Sequence, residues 1–225
     1  MLNLYKKLLE AYKEQGWWPI INSFNKVAYN KNFKNRKKTE SEKLQVCLGC
    51  ILTQNTSWKN VEKSLITLNK NKLISLKKLE KILDKKLASL IKSSGYYNQK
   101  TKTIKNFIKF ANKYKTLNEM FLDKNIRNKL LSVKGIGPET ADSMLLYAGD
   151  LPYFVIDAYT KRIIERLNIS KEKDYPELQE LFHKNLDKDY KLFNEYHALF
   201  VEHAKRNCKK IPSCNDCILK NKCKY

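Results

Sequence analysis

The stretch Leu130–Asp157, LLSVKGIGPETADSMLLYAGDLPYFVID, limits the possible folds more than any other part of the chain. Leu130, Leu131 and Val133 close an apolar helix end. Lys134-Gly135-Ile136-Gly137-Pro138 follows, and Thr140, Ala141, Met144 and Leu145 resume helical spacing. Glycine at 135 and 137 permits positive φ and leaves no Cβ to block a close-approaching ligand. Pro138 suits the first turn of a helix, where its missing N–H costs nothing. The pattern predicts two helices joined by a tight glycine hairpin. Successive amides of the hairpin, with the positive end of the second helix, form an anion-binding concavity. An ordinary Gly-Pro turn between two core helices has the same local pattern, so the hairpin alone does not settle function.

After a Gly149-Asp150 turn, Tyr153-Phe154-Val155-Ile156 reads as a buried apolar run. Asp157 ends it, and Ala158 to Ile164 begins another helix. Asp is a favoured N-cap. An N-cap carboxylate beside a phosphate-binding hairpin is also placed for chemistry, and the two roles are compatible.

The remaining pattern is all-α. Leu4, Leu8, Leu9 and Tyr12 mark a first helix face, which Gly16 stops before Trp17-Trp18-Pro19. Two adjacent tryptophans in a non-helical connection are costly to expose. They either plug a junction between lobes or offer a ring to a base. Asn30–Lys43 is polar and charged, a linker or a frayed helix start. Leu44–Leu52 is strongly apolar, with Cys47 and Cys50 inside it reading as buried, inert thiols. Thr53-Gln54-Asn55-Thr56-Ser57-Trp58 is a polar turn before a helix face at Val61, Leu65 and Leu68. Two short helices cover Leu73–Ile91. Gly95-Tyr96-Tyr97-Asn98-Gln99-Lys100 starts a helix with Ile104, Phe107, Ile108 and Ala111 inward. Glu119–Leu131 supplies the helix entering the hairpin, and Tyr175–Leu186 and Tyr190–Ala204 supply two more. No alternating strand is evident.

Among 225 residues, 45 Lys and Arg oppose 23 Asp and Glu, a net charge of +22. Such an excess favours a polyanionic partner through counterion release, although much of the Lys is scattered. No apolar run approaches the roughly 20 residues that span a bilayer, and the start lacks a signal-peptide pattern. The expectation is a soluble, monomeric, cytoplasmic protein associated with the nucleoid.

Cys208, Cys214, Cys217 and Cys223 lie within the final 18 residues as C-x5-C-x2-C-x5-C. Four cysteines so packed in an intracellular chain read as a metal site. Zinc usually takes two close pairs. One close pair flanked by single cysteines can instead wrap a [4Fe–4S] cluster.

The hairpin, the following helix and Val155-Ile156-Asp157 before another helix resemble the helix-hairpin-helix DNA glycosylase superfamily, of which endonuclease III is a member. The cysteine tail resembles the cluster loop of endonuclease III, with one residue fewer in the first gap. The Gly95 helix start is also similar. The resemblance runs from about residue 40 to the end, with its motifs in the family's order. It implies a two-lobed helical fold. A six-helix barrel would occupy 39–150, with the helix-hairpin-helix at 127–145. A discontinuous helical domain would comprise 1–38 and 151–225, with a cluster loop at 208–223.

The resemblance also implies roles. Lys134, Gly135, Ile136, Gly137 and Thr140 would hold the backbone of damaged double-stranded DNA. Gln54 would fill the gap left by an extruded base. Asp157 would be the catalytic carboxylate. Cys208, Cys214, Cys217 and Cys223 would carry a [4Fe–4S] cluster in a structural role, with Lys209, Lys210, Lys220, Lys222 and Lys224 meeting phosphates. Trp-Trp-Pro at 17–19 is similar to a bacterial branch that excises 3-methyladenine, which makes Trp17, Trp18 and Lys205 candidates for the base pocket.

One departure bears on the reaction. Strand-cleaving members carry a lysine two residues after the second hairpin glycine, where it attacks the sugar. This chain has Glu139 there, and a carboxylate cannot form an imine. The expected activity is monofunctional base excision, of alkylated purines of the 3-methyladenine type. The alternatives are an endonuclease III-like glycosylase/lyase for oxidised pyrimidines, an adenine-mismatch glycosylase (a kind that usually has a further C-terminal domain), and a non-enzymatic iron–sulfur DNA-binding protein.

Overall fold

The computed structural model describes all residues, Met1–Tyr225, and is built from twelve α-helices with one small β-ribbon. Helix α1 (Leu2–Tyr12) leads through Trp17 and Trp18 into strands β1 (Ile20–Ile21) and β2 (Val27–Ala28). These pair antiparallel, Ile20 opposite Ala28. The sequence reading missed the ribbon because strands of two residues are too short to show an alternation. Gln45 holds it to the core by accepting from the Ile21 amide at 2.7 Å.

Segment 30–43 is no solvated linker. Phe33, Lys34 and Lys38 are buried. Lys38 pairs with Asp150, and Lys34 meets the fully buried carboxylate of Glu195 at 2.5 Å. Those partners lie 112 and 161 residues away in sequence, so local composition hides them. Thr39 and Glu42 form a capping box that starts α2 (Glu40–Leu52).

Helix α2 is buried along nearly its whole length and packs most extensively against α3 (Trp58–Lys70), α6 (Tyr97–Ala111) and α9 (Pro138–Tyr147). Two short helices, α4 (Leu76–Lys81) and α5 (Asp84–Leu90), pack on α6. Burial pushes the Cys47 and Cys50 thiols up, which suits inert core residues. The segment expected as one helix over Glu119–Leu131 is two, α7 (Leu117–Leu122) and α8 (Ile126–Leu131). Asp123 breaks it. Its carboxylate accepts from the Asn125 amide at 2.9 Å and from Tyr114 at 2.8 Å, a local alternative to the helical ladder.

The chain continues through α10 (Ala158–Arg166), α11 (Tyr175–Asn185) and α12 (Tyr190–Arg206). Helix α12 packs on α1, α9 and α10, so the two ends of the chain meet. Phe154 stacks on Phe182 at 3.7 Å, and Phe193, Tyr196 and Phe200 complete this aromatic core. No helix is long and apolar enough to cross a membrane.

Candidate active site

The hairpin between α8 and α9 is held from three sides. Arg127 on α8 donates to the buried Asp142 carboxylate of α9 at 2.7 and 3.0 Å, and Gln179 of α11 donates to the same group at 2.7 Å. From the α2–α3 turn, the Gln54 side-chain amide donates to the Gly135 carbonyl at 3.2 Å and to the Thr140 hydroxyl at 2.9 Å. Asn106 of α6 donates to the Lys134 carbonyl at 3.1 Å.

The two glycines act differently. Gly135 has φ +98°, and a Cβ there would lie 2.2 Å from the Thr103 hydroxyl, so both conformation and space demand glycine. Gly137 has φ −94°, and a Cβ there would meet nothing. Gly137 does not use the positive φ that glycine permits; it is the extended N-cap of α9. The amides of Gly135, Gly137, Glu139 and Thr140 make no hydrogen bond within the chain. They face the solvent end of α9, where the helix dipole favours an anion. Lys134 is exposed beside them, and Ile136 points into the core.

Buried Phe154, Val155 and Ile156 deliver Asp157 to the start of α10. The Phe154 amide donates to His183 at 3.1 Å, and the Ile156 amide to Tyr175 at 3.4 Å, which satisfies this irregular backbone. Asp157 accepts from the Thr160 amide at 2.7 Å through Oδ1, and Oδ2 lies 3.6 Å from His197 Nε2. Its side chain is 13% exposed. Burial works to raise its pKa, but His197 and Thr160 outweigh this and hold the carboxylate below its ordinary range. Glu139 is shifted the other way, raised by partial desolvation and then by the charge of Asp157. The position that would need a lysine therefore holds a carboxylate that shares the field of Asp157.

His197 connects Asp157 to an aromatic cluster. Its Nδ1 lies 2.6 Å from the Tyr147 hydroxyl. Tyr147 meets Trp18 at 5.1 Å between ring centroids, and Trp18 and Trp17 meet Trp58 at 5.2 and 5.0 Å. Trp18 is buried and packs over Gly49, while Trp17 is half-buried beneath the Lys205 ammonium, 5.2 Å from its ring centroid. Desolvation lowers the Lys205 pKa, against the pull of Glu202, Glu62 and Asp157. The fold thus unites residues 17, 18, 58, 147, 157, 197 and 205. Trp58, Tyr147 and His197 escaped the sequence reading. Trp58 reads as the close of the polar turn, and His197 as one of two histidines inside the apolar Tyr190–Ala204 pattern. The proximity of Trp58 to the Gln54 turn was the one available signal.

Cys208, Cys214, Cys217 and Cys223 line one cavity with Arg166, His203 and Leu219. All four are free thiols. Arg166 orders this tail, donating to Cys208 Sγ at 3.3 Å and to the Lys209 and Lys210 carbonyls at 2.7 and 2.9 Å. No three His, Cys, Asp or Glu side chains converge on one point as ligands of a single ion.

An all-α scaffold presenting a glycine hairpin with unpaired amides, next to a buried carboxylate and an aromatic cluster, defines a protein built to grip a nucleic-acid backbone and act on one of its nucleotides. The chain belongs to the HhH-GPD superfamily of base excision DNA repair proteins, whose pattern matches residues 48–188. It is a base excision DNA repair glycosylase of that superfamily. Among curated relatives, the DNA repair glycosylase candidate MJ1434 of Methanocaldococcus jannaschii is 42% identical over 98% of this chain and 94% of its own. Endonuclease III of Thermotoga maritima is 30% identical over 84% of this chain and 86% of its own. Among solved structures, Helicobacter pylori 3-methyladenine DNA glycosylase bound to 1,N6-ethenoadenine superposes with TM-score 0.66 and 28% identity, covering 76% of this chain and 91% of that one. A non-covalent endonuclease III–DNA complex has TM-score 0.73 at 18% identity, covering 99% and 93%, which shows a shared fold.

Proposed function

We propose that this protein is a monofunctional glycosylase that hydrolyses the N-glycosidic bond of alkylated purines, of the 3-methyladenine type, in double-stranded DNA. The observation that carries the reading is the continuous path from Trp17, Trp18 and Trp58 through Tyr147 and His197 to Asp157. A purine alkylated at N3 or N7 is cationic and electron-poor, so it stacks well on indole faces. It also leaves readily, because the C1′–N electron pair neutralises its charge. No strong general acid is needed. Likeness to the H. pylori enzyme supports the same class.

In this mechanism the free hairpin amides hold phosphates of the damaged strand, and the lesion leaves the stack for the aromatic pocket. Gln54, at the α2–α3 turn, fills the gap. As the bond breaks, C1′ gains oxocarbenium character. Asp157, kept ionised, stabilises that cation and takes a proton from the attacking water, leaving an abasic sugar and free base. Glu139 cannot form an imine with the sugar, and the Lys161 ammonium is engaged with the Lys173 carbonyl at 2.9 Å.

The four tail thiols suit a multi-iron cluster better than one zinc ion. They line one cavity, and one close pair flanked by single cysteines is a layout that can wrap a four-iron cluster, whereas zinc usually takes two close pairs. Cys208, Cys214, Cys217 and Cys223 would ligate a [4Fe–4S] cluster, which would cross-link the tail and hold its lysines against DNA. The domain division proposed with this reading is 39–150 against 1–38 plus 151–225, in a monomer acting in the cytoplasm on nucleoid DNA.

The test is a panel of duplexes carrying alkylated purines, oxidised pyrimidines or mismatched adenine, scored for base release with and without alkali and for borohydride trapping. Alkylpurine release, strand breaks only after alkali and no trapped adduct support the reading. A trapped adduct, or release confined to oxidised pyrimidines, overturns it.

A further inference from the structure

We infer that His197 is a positioning residue for Asp157, donating from Nε2 to the carboxylate and backed on its other nitrogen by Tyr147. This rests on the glycosylase reading of Asp157 and adds a residue to it.

The argument is one of proton placement. Tyr147 is fully buried, and burial, together with the charges of Asp157 and Glu195, pushes its pKa well above the ordinary phenol value, so it keeps its proton. That proton has two acceptors, His197 Nδ1 at 2.6 Å and the Asn194 carbonyl at 3.4 Å. When it goes to Nδ1, the imidazole proton sits on Nε2 and faces Asp157. When it goes to the Asn194 carbonyl, Nδ1–H donates to the phenol oxygen. A neutral ring would then aim the Nε2 lone pair at a carboxylate, which is repulsive, and a protonated ring again places N–H there. Every favourable state puts a donor on Nε2.

The spacing fits a poised contact. His197 is 8% exposed, and Nε2 has no hydrogen-bond partner. It lies 3.6 Å from Asp157 Oδ2, while Oδ1 is already fixed by the Thr160 amide at 2.7 Å. Catalytic hydrogen bonds are often long before substrate binds and shorten in the complex. Closing this gap satisfies both buried groups and fixes the carboxylate plane beneath the sugar. The titratable groups around the ring and Asp157 are Tyr147 and Glu139 on α9 and the Lys205 ammonium on α12, and no lysine or arginine makes a hydrogen bond with Asp157.

Two substitutions separate positioning from packing. In His197→Gln the side-chain amide reaches the place of Nε2 and keeps a donor toward Asp157. In His197→Asn it reaches only the place of Nδ1, keeping a partner for Tyr147. The assay is single-turnover release of 3-methyladenine and 7-methylguanine from dimethyl-sulfate-treated duplex, with Asp157→Asn as reference. We expect H197N to lose roughly 10- to 100-fold, the worth of one hydrogen bond to a charged group. The acid limb of its pH–rate profile should move to higher pH, and H197Q should recover most of the rate. Equal rates in H197N and wild type, or equal loss in both variants with no movement of the acid limb, overturn the inference. A readout independent of turnover is the imidazole 15N spectrum, simple to assign with three histidines. His197 should be protonated at Nε2 and should shift in D157N; a neutral Nδ1–H ring indifferent to D157N contradicts it. If the wild type releases no base, the substrate reading fails, whereas the spectrum still decides the His197–Asp157 contact.

Discussion

Gln54 and Gly135, 81 residues apart, are joined by a 3.2 Å hydrogen bond, and the same Gln54 amide reaches Thr140 at 2.9 Å. The turn proposed to enter the duplex gap is thus fastened to the hairpin proposed to hold the phosphates. A base leaving the stack and a backbone being gripped become one event sensed by one rigid unit. Gln54→Ala should cost only about 1 kcal/mol of stability, since the bond is partly exposed. It should slow base release from duplex roughly tenfold, because the extruded state loses its gap filler. Single-stranded DNA, with no gap to fill, should show a much smaller effect. Urea titration and single-turnover assays on both substrates measure this.

The two hairpin glycines should respond differently to alanine. At Gly135 the new Cβ meets Thr103 and the backbone is left-handed, so G135A should lose about 1–3 kcal/mol. At Gly137 the backbone is extended and the space open, so G137A should unfold like the wild type. It should nonetheless bind DNA more weakly, because its methyl group stands where a phosphate approaches the α9 amides. Thermal denaturation and DNA titration at fixed salt separate the two effects.

Asp142 is fully buried and draws its compensation from Arg127 and Gln179. Removing the guanidinium in Arg127→Met leaves a charged group inside α9 with one neutral donor. The expected loss is about 3–5 kcal/mol, the usual cost of stranding half a buried pair. Double replacement, Arg127→Met with Asp142→Leu, should recover a large part of it. A double-mutant cycle by urea denaturation checks both values.

Lys100 gives a pH dependence. Its ammonium is buried, donates to the Leu52 and Ser94 carbonyls at 2.7 Å each, and has its pKa pushed down to about 8 by desolvation. Between about pH 8 and the ordinary lysine value near 10.4, the unfolded chain holds a proton here that the folded chain has released. The unfolded state then binds more protons, so this group makes stability rise with pH across that window. Below about pH 8 both states are protonated and the slope vanishes. Unfolding free energies of wild type and Lys100→Met at stepped pH should differ in slope only within the window.

Much of this was legible because the relevant signals are local. The hairpin, the apolar run ending at Asp157 and the order of the helices follow from glycine, proline and apolar spacing. What stayed hidden depends on partners far along the chain. Lys34 and Lys38 looked solvated because Glu195 and Asp150 neutralise them from a distance. One helix became two because Asp123 offers its carboxylate to nearby donors. Trp58, Tyr147 and His197 carry no motif, and only the packing of α3, α9 and α12 brings them to Asp157. Which of the two glycines uses its conformational freedom was not legible either: Gly135 takes positive φ, whereas Gly137 is extended and only leaves space open.

The central claim is that the Asp157 carboxylate, set at the start of α10, drives base release. Asparagine caps a helix as well as aspartate, so Asp157→Asn should fold and bind DNA like the wild type. The decisive measurement is its single-turnover rate of 3-methyladenine release from methylated duplex DNA, beside its DNA affinity. A fall of roughly 10²- to 10⁴-fold with affinity retained is the predicted result; release at the wild-type rate would contradict the account.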